Sequence, residues 1–153
     1  MKILIGREYL KEIIPLVQSA ESNIDIFMYH WGYYSSNSKC EIQKLTLAIR
    51  AAATRGVKVR ILIHSGSPND NLRRKNSETV AHLGAGGAHV KYYKSSGTLH
   101  SKLILIDKTY AALGSHNYSK KSMGGNIETS ILVEGSADIR RLCDYFTNLW
   151  GQN

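Results

Sequence analysis

The chain predicts an α/β fold, a mixed β-sheet sandwiched between helices, and three observations point to it. Apolar runs of strand length alternate with stretches whose apolar residues recur at helical spacing. The segment VKVRILIH, residues 57–64, has a nearly continuous apolar second half, as expected of a strand covered on both faces. The 153 residues, 42% hydrophobic and 21% charged, suffice for one domain of two or three layers spanning residues 1–153.

Taken in order, Ile3 to Ile5 is a short opening or edge strand. From Arg7 to Ala20, residues Leu10, Ile13, Leu16, Val17 and Ala20 mark a helix that Pro15 should kink or force to start late. Asn23 to Tyr29 reads as a strand, followed by the polar and aromatic loop HWGYYSSNS. Ser38 and Glu41 fit a capping box, with Ile42, Leu45, Ile49 and Ala52 on one face of the helix behind it. Gly56 stops that helix, strand 57–64 follows, and residues 65–69 form a loop broken by Gly66 and Pro68. A weaker helix from about Asp70 to Leu83 turns Leu72, Val80 and Leu83 inward and ends at Gly84, Gly86 and Gly87. His89 to Tyr93, Leu99 to Asp107, Tyr110 to Leu113 and Asn126 to Glu134 read as further strands. Ser136 to Trp150 closes the chain as an amphipathic helix through Ile139, Leu142, Cys143, Phe146, Leu149 and Trp150.

The stretch Leu99 to Glu128 concentrates the chemistry. Alternate residues of a strand share a face, so His100 and Lys102 should project together. Ile104 and Ile106 continue that side into the core, opposite Ser101, Leu103 and Leu105. A returning strand after the Asp-Lys-Thr turn can bring Ser115 and Asn117 beside them. An imidazole, a fixed cation, an amide and a hydroxyl are the parts needed to grip and attack a phosphate. The net charge of +8, from 20 Lys and Arg against 12 Asp and Glu, favours polyanionic partners such as nucleic acid or an anionic membrane. Cys40 and Cys143 form neither a disulfide framework nor a CxxC pair. With no secretory signal and no run of membrane-spanning length, the expected location is the cytoplasm.

His100-x-Lys102, four residues, Asp107, six residues, Gly114-Ser115-x-Asn117 resembles the HKD signature of the phospholipase D superfamily. Asn126-x-Glu128 is similar to an element that follows the signature in many members, and residues 52–60 resemble their helix-to-strand junction. A single copy of the signature in a short chain resembles the small endonuclease-like members, in which two subunits build one active site at a dyad.

That resemblance implies a metal-independent phosphodiesterase without cofactor, a homodimeric nuclease acting on DNA or RNA through a phosphohistidine intermediate. In-line displacement needs a nucleophile on one side of phosphorus and an acid on the other, so one imidazole cannot fill both positions. The second is implied to be His100 of the partner subunit. Lys102 and Asn117 would hold non-bridging oxygens, with Ser115 as a secondary donor. Glu128 would orient the imidazole. Asp107, though part of the signature, should be mainly a structural hydrogen-bonding group. No zinc spacing appears among six His and two Cys.

Around this centre, Lys120 and Lys121 are placed to steer a polyanion. Trp31, Tyr33 and Tyr34 follow a strand end and either stack on bases or cover the dimer interface. Arg73, Arg74 and Lys75 read as a solvated helix face or a contact to backbone phosphates. His30, His64, His82, His89 and His116 read as structural or solvent-exposed. Two other functions fit the same residues: a phospholipid phosphodiesterase of phospholipase D or cardiolipin hydrolase type, and a non-catalytic module that binds nucleic acid through the phosphate pocket.

Overall fold

The computed structural model describes residues 1–34, 39–67 and 70–153. Its strands are β1 (Lys2–Ile5), β2 (Asn23–Met28), β3 (Lys58–His64), β4 (His89–Tyr93), β5 (Leu103–Ile106), β6 (Tyr110–Gly114) and β7 (Thr129–Glu134). Between them lie helices α1 (Glu8–Ser19), α2 (Glu41–Thr54), α3 (Asn71–Gly84), α4 (Lys120–Gly124) and α5 (Ala137–Gln152). The strands form one sheet in the order β1-β7-β6-β5-β2-β3-β4. β2, β3 and β4 run parallel, while β5, β6, β7 and β1 are added antiparallel. The mixed α/β architecture is the expected one.

Two cores lie on opposite sides of the sheet. On one, α1, α2 and α3 cover Ile24, Ile26, Ile61, Ile63, Ile104 and Ile106. On the other, Ile139 and Phe146 of α5 cover Phe27, Leu62, Leu103 and Leu105. Ile104 and Ile106 thus face one core and Leu103 and Leu105 the other, as strand alternation requires. Beneath α5, Arg60 on β3 forms a bidentate pair with the Asp25 carboxylate on β2, both bonds 2.7 Å. The guanidinium also lies 5.0 Å from the centre of the Phe146 ring. Side-chain exposures of 3% for Asp25 and 16% for Arg60 place this pair where a single unpartnered charge would be costly.

Several boundaries differ from the sequence expectation. α1 does not start late: it runs from Glu8 through Pro15, whose ring occupies an exposed position one turn before the helix ends. α2 has Cys40 at its N-cap and no side-chain cap; the Ser38 of the expected capping box lies outside the described residues, as do Pro68 and Asn69 of the loop 65–69. The strand expected from Leu99 begins only at Leu103, and the strand expected from Asn126 begins at Thr129. Ladder pairing is the reason. β5 and β2 pair from Leu103↔Phe27 to Ile106↔Ile24, and β7 meets β1 and β6 only from Thr129 onward. α4 was not expected; five residues are too few for a helical period to register.

Candidate active site

The ends of β2, β3 and β6 and the approach to β5 meet at one edge of the sheet, outside the carboxyl ends of the parallel strands. β2 is the switch point there, with β3 parallel on one side and β5 antiparallel on the other. Two buried residues, Asn76 through its side chain and Tyr118 through its backbone, stitch the loops at this edge. Asn76 of α3 donates to the carbonyls of Tyr29 (2.9 Å) and His64 (3.0 Å) and accepts from the Trp31 N–H (2.9 Å). The Tyr118 N–H donates to the His30 carbonyl (3.0 Å) and the Gly32 N–H to the Tyr118 carbonyl (2.8 Å).

His100 and Lys102 precede β5 and still come together, around a residue that the sequence reading did not single out. The Tyr29 ring meets the His100 imidazole nearly edge-on at 4.8 Å, and Lys102 Nζ sits 5.2 Å from the same ring's centre. His64 stacks on Tyr29 at 5.1 Å. His100 is exposed, and its ring makes no hydrogen bond to any described residue. Lys102 is buried, and its ammonium donates to the His100 carbonyl at 2.6 Å, which leaves two N–H groups. Burial lowers its pKa, while the negative charge of Glu128 works in the opposite direction. Among the described residues Lys102 makes no ion pair with a carboxylate.

On the β6 side, Asn117 Oδ1 accepts from the His30 N–H at 3.2 Å. That contact fixes the amide and leaves its NH₂ as the end with free donors. Ser115 donates to Glu128 Oε2 and accepts from the Thr129 N–H at 3.1 Å. Its single proton is thus committed to the carboxylate, so Ser115 supports Glu128 and has no proton to spare for a phosphate. Gly114 permits this approach. A Cβ there would lie 2.4 Å from the Thr129 carbonyl oxygen and 2.3 Å from Ser130 Oγ.

Glu128 is buried and accepts from Ser115, from Ser122 Oγ at 2.7 Å and from Asn126 Nδ2 at 3.0 Å. Burial alone would raise its pKa, but these three donors hold the carboxyl below the usual carboxylate range. The expected bond from the imidazole of His100 is not among its contacts within the chain. Its bonds come instead from two hydroxyls and an amide nearby in sequence, which saturate it. Ser122 is a second residue missed by sequence. It also accepts from the Asn117 N–H at 3.1 Å and so couples the amide to the carboxylate. The hydroxyl of Ser119, which caps α4, accepts from the Ser122 N–H at 3.2 Å and sets this geometry.

Other candidates fall outside the centre. Asp107 lies at the far end of β5 from His100, where its carboxylate accepts from the N–H groups of Glu21, Ser22 and Asn23 and from the Ser22 hydroxyl. It locks the α1–β2 turn, as the structural expectation held, and contributes nothing to a shared pocket with His100. Trp31 is fully buried, its indole N–H donating to Thr46 Oγ1 at 2.9 Å and its ring set edge-on to Tyr118 at 4.7 Å. It offers no face to a base or to a partner subunit, which corrects both readings of that residue. Tyr33 packs on His82 at 4.5 Å, away from His100. Lys120 and Lys121 are exposed at the start of α4. His116 is structural: buried, it bonds Ser130 Oγ at 2.7 Å and the Gly6 carbonyl at 3.0 Å.

This edge of the sheet thus carries an exposed imidazole, a buried lysine and an oriented amide, at the positions that resemble the signature of the phospholipase D superfamily. The chain belongs to that family: the profile described as "Cardiolipin synthase, PLD-like domain" matches residues 13–150. Among curated relatives, a phospholipase D of Rickettsia prowazekii is 31% identical over 140 residues, covering 92% of this chain and 60% of the relative. The human mitochondrial cardiolipin hydrolase is 22% identical over 147 residues, 96% of this chain and 53% of the relative. The chain thus spans little more than half the length of these relatives. In fold it is similar to Nuc from Salmonella typhimurium, with a TM-score of 0.81, 17% identity and coverage of 99% of this chain and 95% of that one. NucT from Helicobacter pylori follows with a TM-score of 0.78, 20% identity and coverage of 98% and 94%.

Proposed function

We propose that this phospholipase D-like phosphodiesterase is a homodimeric, metal-independent nuclease acting on DNA or RNA. The observation that carries the reading is the juxtaposition of exposed His100 with buried Lys102 on one aromatic support. A nucleophile must be reachable by the substrate, and the cation that receives developing charge must be fixed beforehand. The basic composition and the likeness in fold to Nuc and NucT support nucleic acid as substrate.

In this mechanism an imidazole nitrogen of His100 attacks phosphorus while Lys102 and Asn117 Nδ2 neutralise the non-bridging oxygens. The P–O bond to the leaving group breaks as that oxygen takes a proton from His100 of the partner subunit. Water then attacks phosphorus, forming a P–O bond as the P–N bond to His100 breaks, and gives its proton to the imidazole that had donated one. The phosphomonoester leaves and both imidazoles are restored. Glu128, held ionised by Ser115, Ser122 and Asn126, places negative charge near Lys102.

The names of the phospholipase D and cardiolipin hydrolase relatives support a second reading, a phospholipid phosphodiesterase with the same chemistry. One experiment separates them: plasmid, single-stranded DNA and cardiolipin vesicles are each incubated with EDTA present, using wild type and His100→Ala. Cleavage of DNA that survives EDTA and vanishes in the variant is the expected result. Phosphatidate release without DNA cleavage transfers the assignment to lipid, and no turnover of any substrate by wild type leaves a binding module.

A further inference from the structure

A groove of about 410 Å³ runs beside the candidate centre, lined by Arg7, Lys39, Lys44 and Lys120 against the single carboxylate of Glu41. Its balance of four cations to one anion is not a sample of the general surface. The groove under the start of α5 carries Lys108 and Arg140 against Asp144, and the one beside β1 carries Lys2 and Lys11 against Glu12 and Glu134. None of the four cations is within ion-pair distance of a carboxylate among the described residues, whereas Lys2, Arg60, Arg74 and Arg141 are so paired.

Placement relates the groove to the chemistry. α4 is its shared wall: Ser122 holds Glu128 on one side, while Lys120 and Gly124 line the groove on the other. Lys120 lies three residues beyond Asn117, a reach of at most about 10 Å. The Tyr34 hydroxyl accepts from the Lys120 N–H at 3.1 Å, and the ammonium rests 4.7 Å from that ring's centre, which holds the residue at the rim. Across the groove, Gly124 leaves room for Arg7: a Cβ there would come within 3.2 Å of its Nη2.

We propose that this groove binds the phosphate backbone of a nucleic-acid strand flanking the scissile phosphate, making the substrate a polynucleotide. The inference rests on the nuclease reading and extends it. A lone lipid headgroup brings one phosphodiester to the centre, whereas a group of unpaired cations beside it matches several phosphates.

The test measures binding of a labelled 20-nucleotide single-stranded DNA across a salt series, in a His100→Ala background so that nothing is cleaved. Adding Arg7→Gln and Lys44→Gln, both exposed, should lower the slope of log K against log salt by about 1.4, near 0.7 per charge for a single strand. With His100 restored, the same pair should raise KM for the oligonucleotide and leave kcat unchanged. Hydrolysis of bis(p-nitrophenyl) phosphate reports that the centre stays intact. An unchanged slope on DNA that the parent binds overturns the groove alone. Loss of binding to vesicles containing anionic phospholipid, with DNA binding unchanged, reassigns it to a membrane surface. Failure of the parent to bind DNA overturns the nuclease reading as well.

Discussion

The Tyr29 ring sits with its centre 4.8 Å from that of His100, at an angle of 61° between the planes. Tyr29 follows the last residue of β2, and its other neighbour, His64, ends β3, so the contact ties the imidazole to the two central parallel strands. An aromatic edge contact of this type contributes about 0.5–1.5 kcal/mol beyond burial. Tyr29→Ala should therefore lower kcat for a small phosphodiester by about 2- to 12-fold through loosened placement of His100 and Lys102. Tyr29→Phe, which keeps the ring, should stay within twofold of wild type. Equal losses in both variants would assign the effect to the hydroxyl and not to the ring.

Ser122 touches no substrate position yet links Asn117 to Glu128. Removing its hydroxyl leaves a buried carboxylate oxygen with one donor fewer and a half-buried N–H without its acceptor, at a cost of about 1–3 kcal/mol. Ser122→Ala should show that loss in urea unfolding together with a reduced kcat. Ser122→Thr should restore the activity if it can keep the hydroxyl in place. A variant as stable as wild type would mean that water replaces both bonds.

Asp107 gives the clearest dependence on pH. Burial pushes its carboxyl up, but the N–H groups of Glu21, Asn23 and Ser22 and the Ser22 hydroxyl outweigh that and hold it below the ordinary value of about 3.9. A carboxyl with a depressed folded pKa contributes its full stability above the unfolded pKa and loses it as pH falls through the folded one. Asp107→Asn should thus be less stable than wild type near pH 7, by about 1.5–3 kcal/mol for lost charge-assisted bonds. The two unfolding curves should converge as pH drops from about 4 toward 2. A constant gap between them from pH 7 to pH 2 would rule out this charge as the source.

Much of the sheet was legible because each face of each strand is written locally. Ile104 and Ile106 against Leu103 and Leu105 assign themselves to two cores by alternation alone. The approach of His100 and Lys102 to one another was legible from spacing. What escaped depends on partners remote in sequence. Trp31 sits in a polar loop and reads as available, but Thr46 and Tyr118 enclose it. Tyr29 and His64 read as ordinary strand ends until the sheet order sets them beside His100. Ser122 belongs to a helix of one turn whose only sequence mark is its capping serine.

The pairing of β1 with β7 has a consequence for synthesis. The first strand of the chain can join the sheet only after residues 129–134 emerge, and the Gly6 N–H then donates to the Glu128 carbonyl at 3.0 Å. At about 5–20 residues per second, a ribosome needs about 2–7 s to pass from His100 to Glu134. During that interval the nascent chain carries the imidazole, the lysine and then the amide without the strand pairing that anchors the Glu128 backbone. Completion of the candidate centre is thereby coupled to closure of the sheet, and a truncated translation product lacks the finished site.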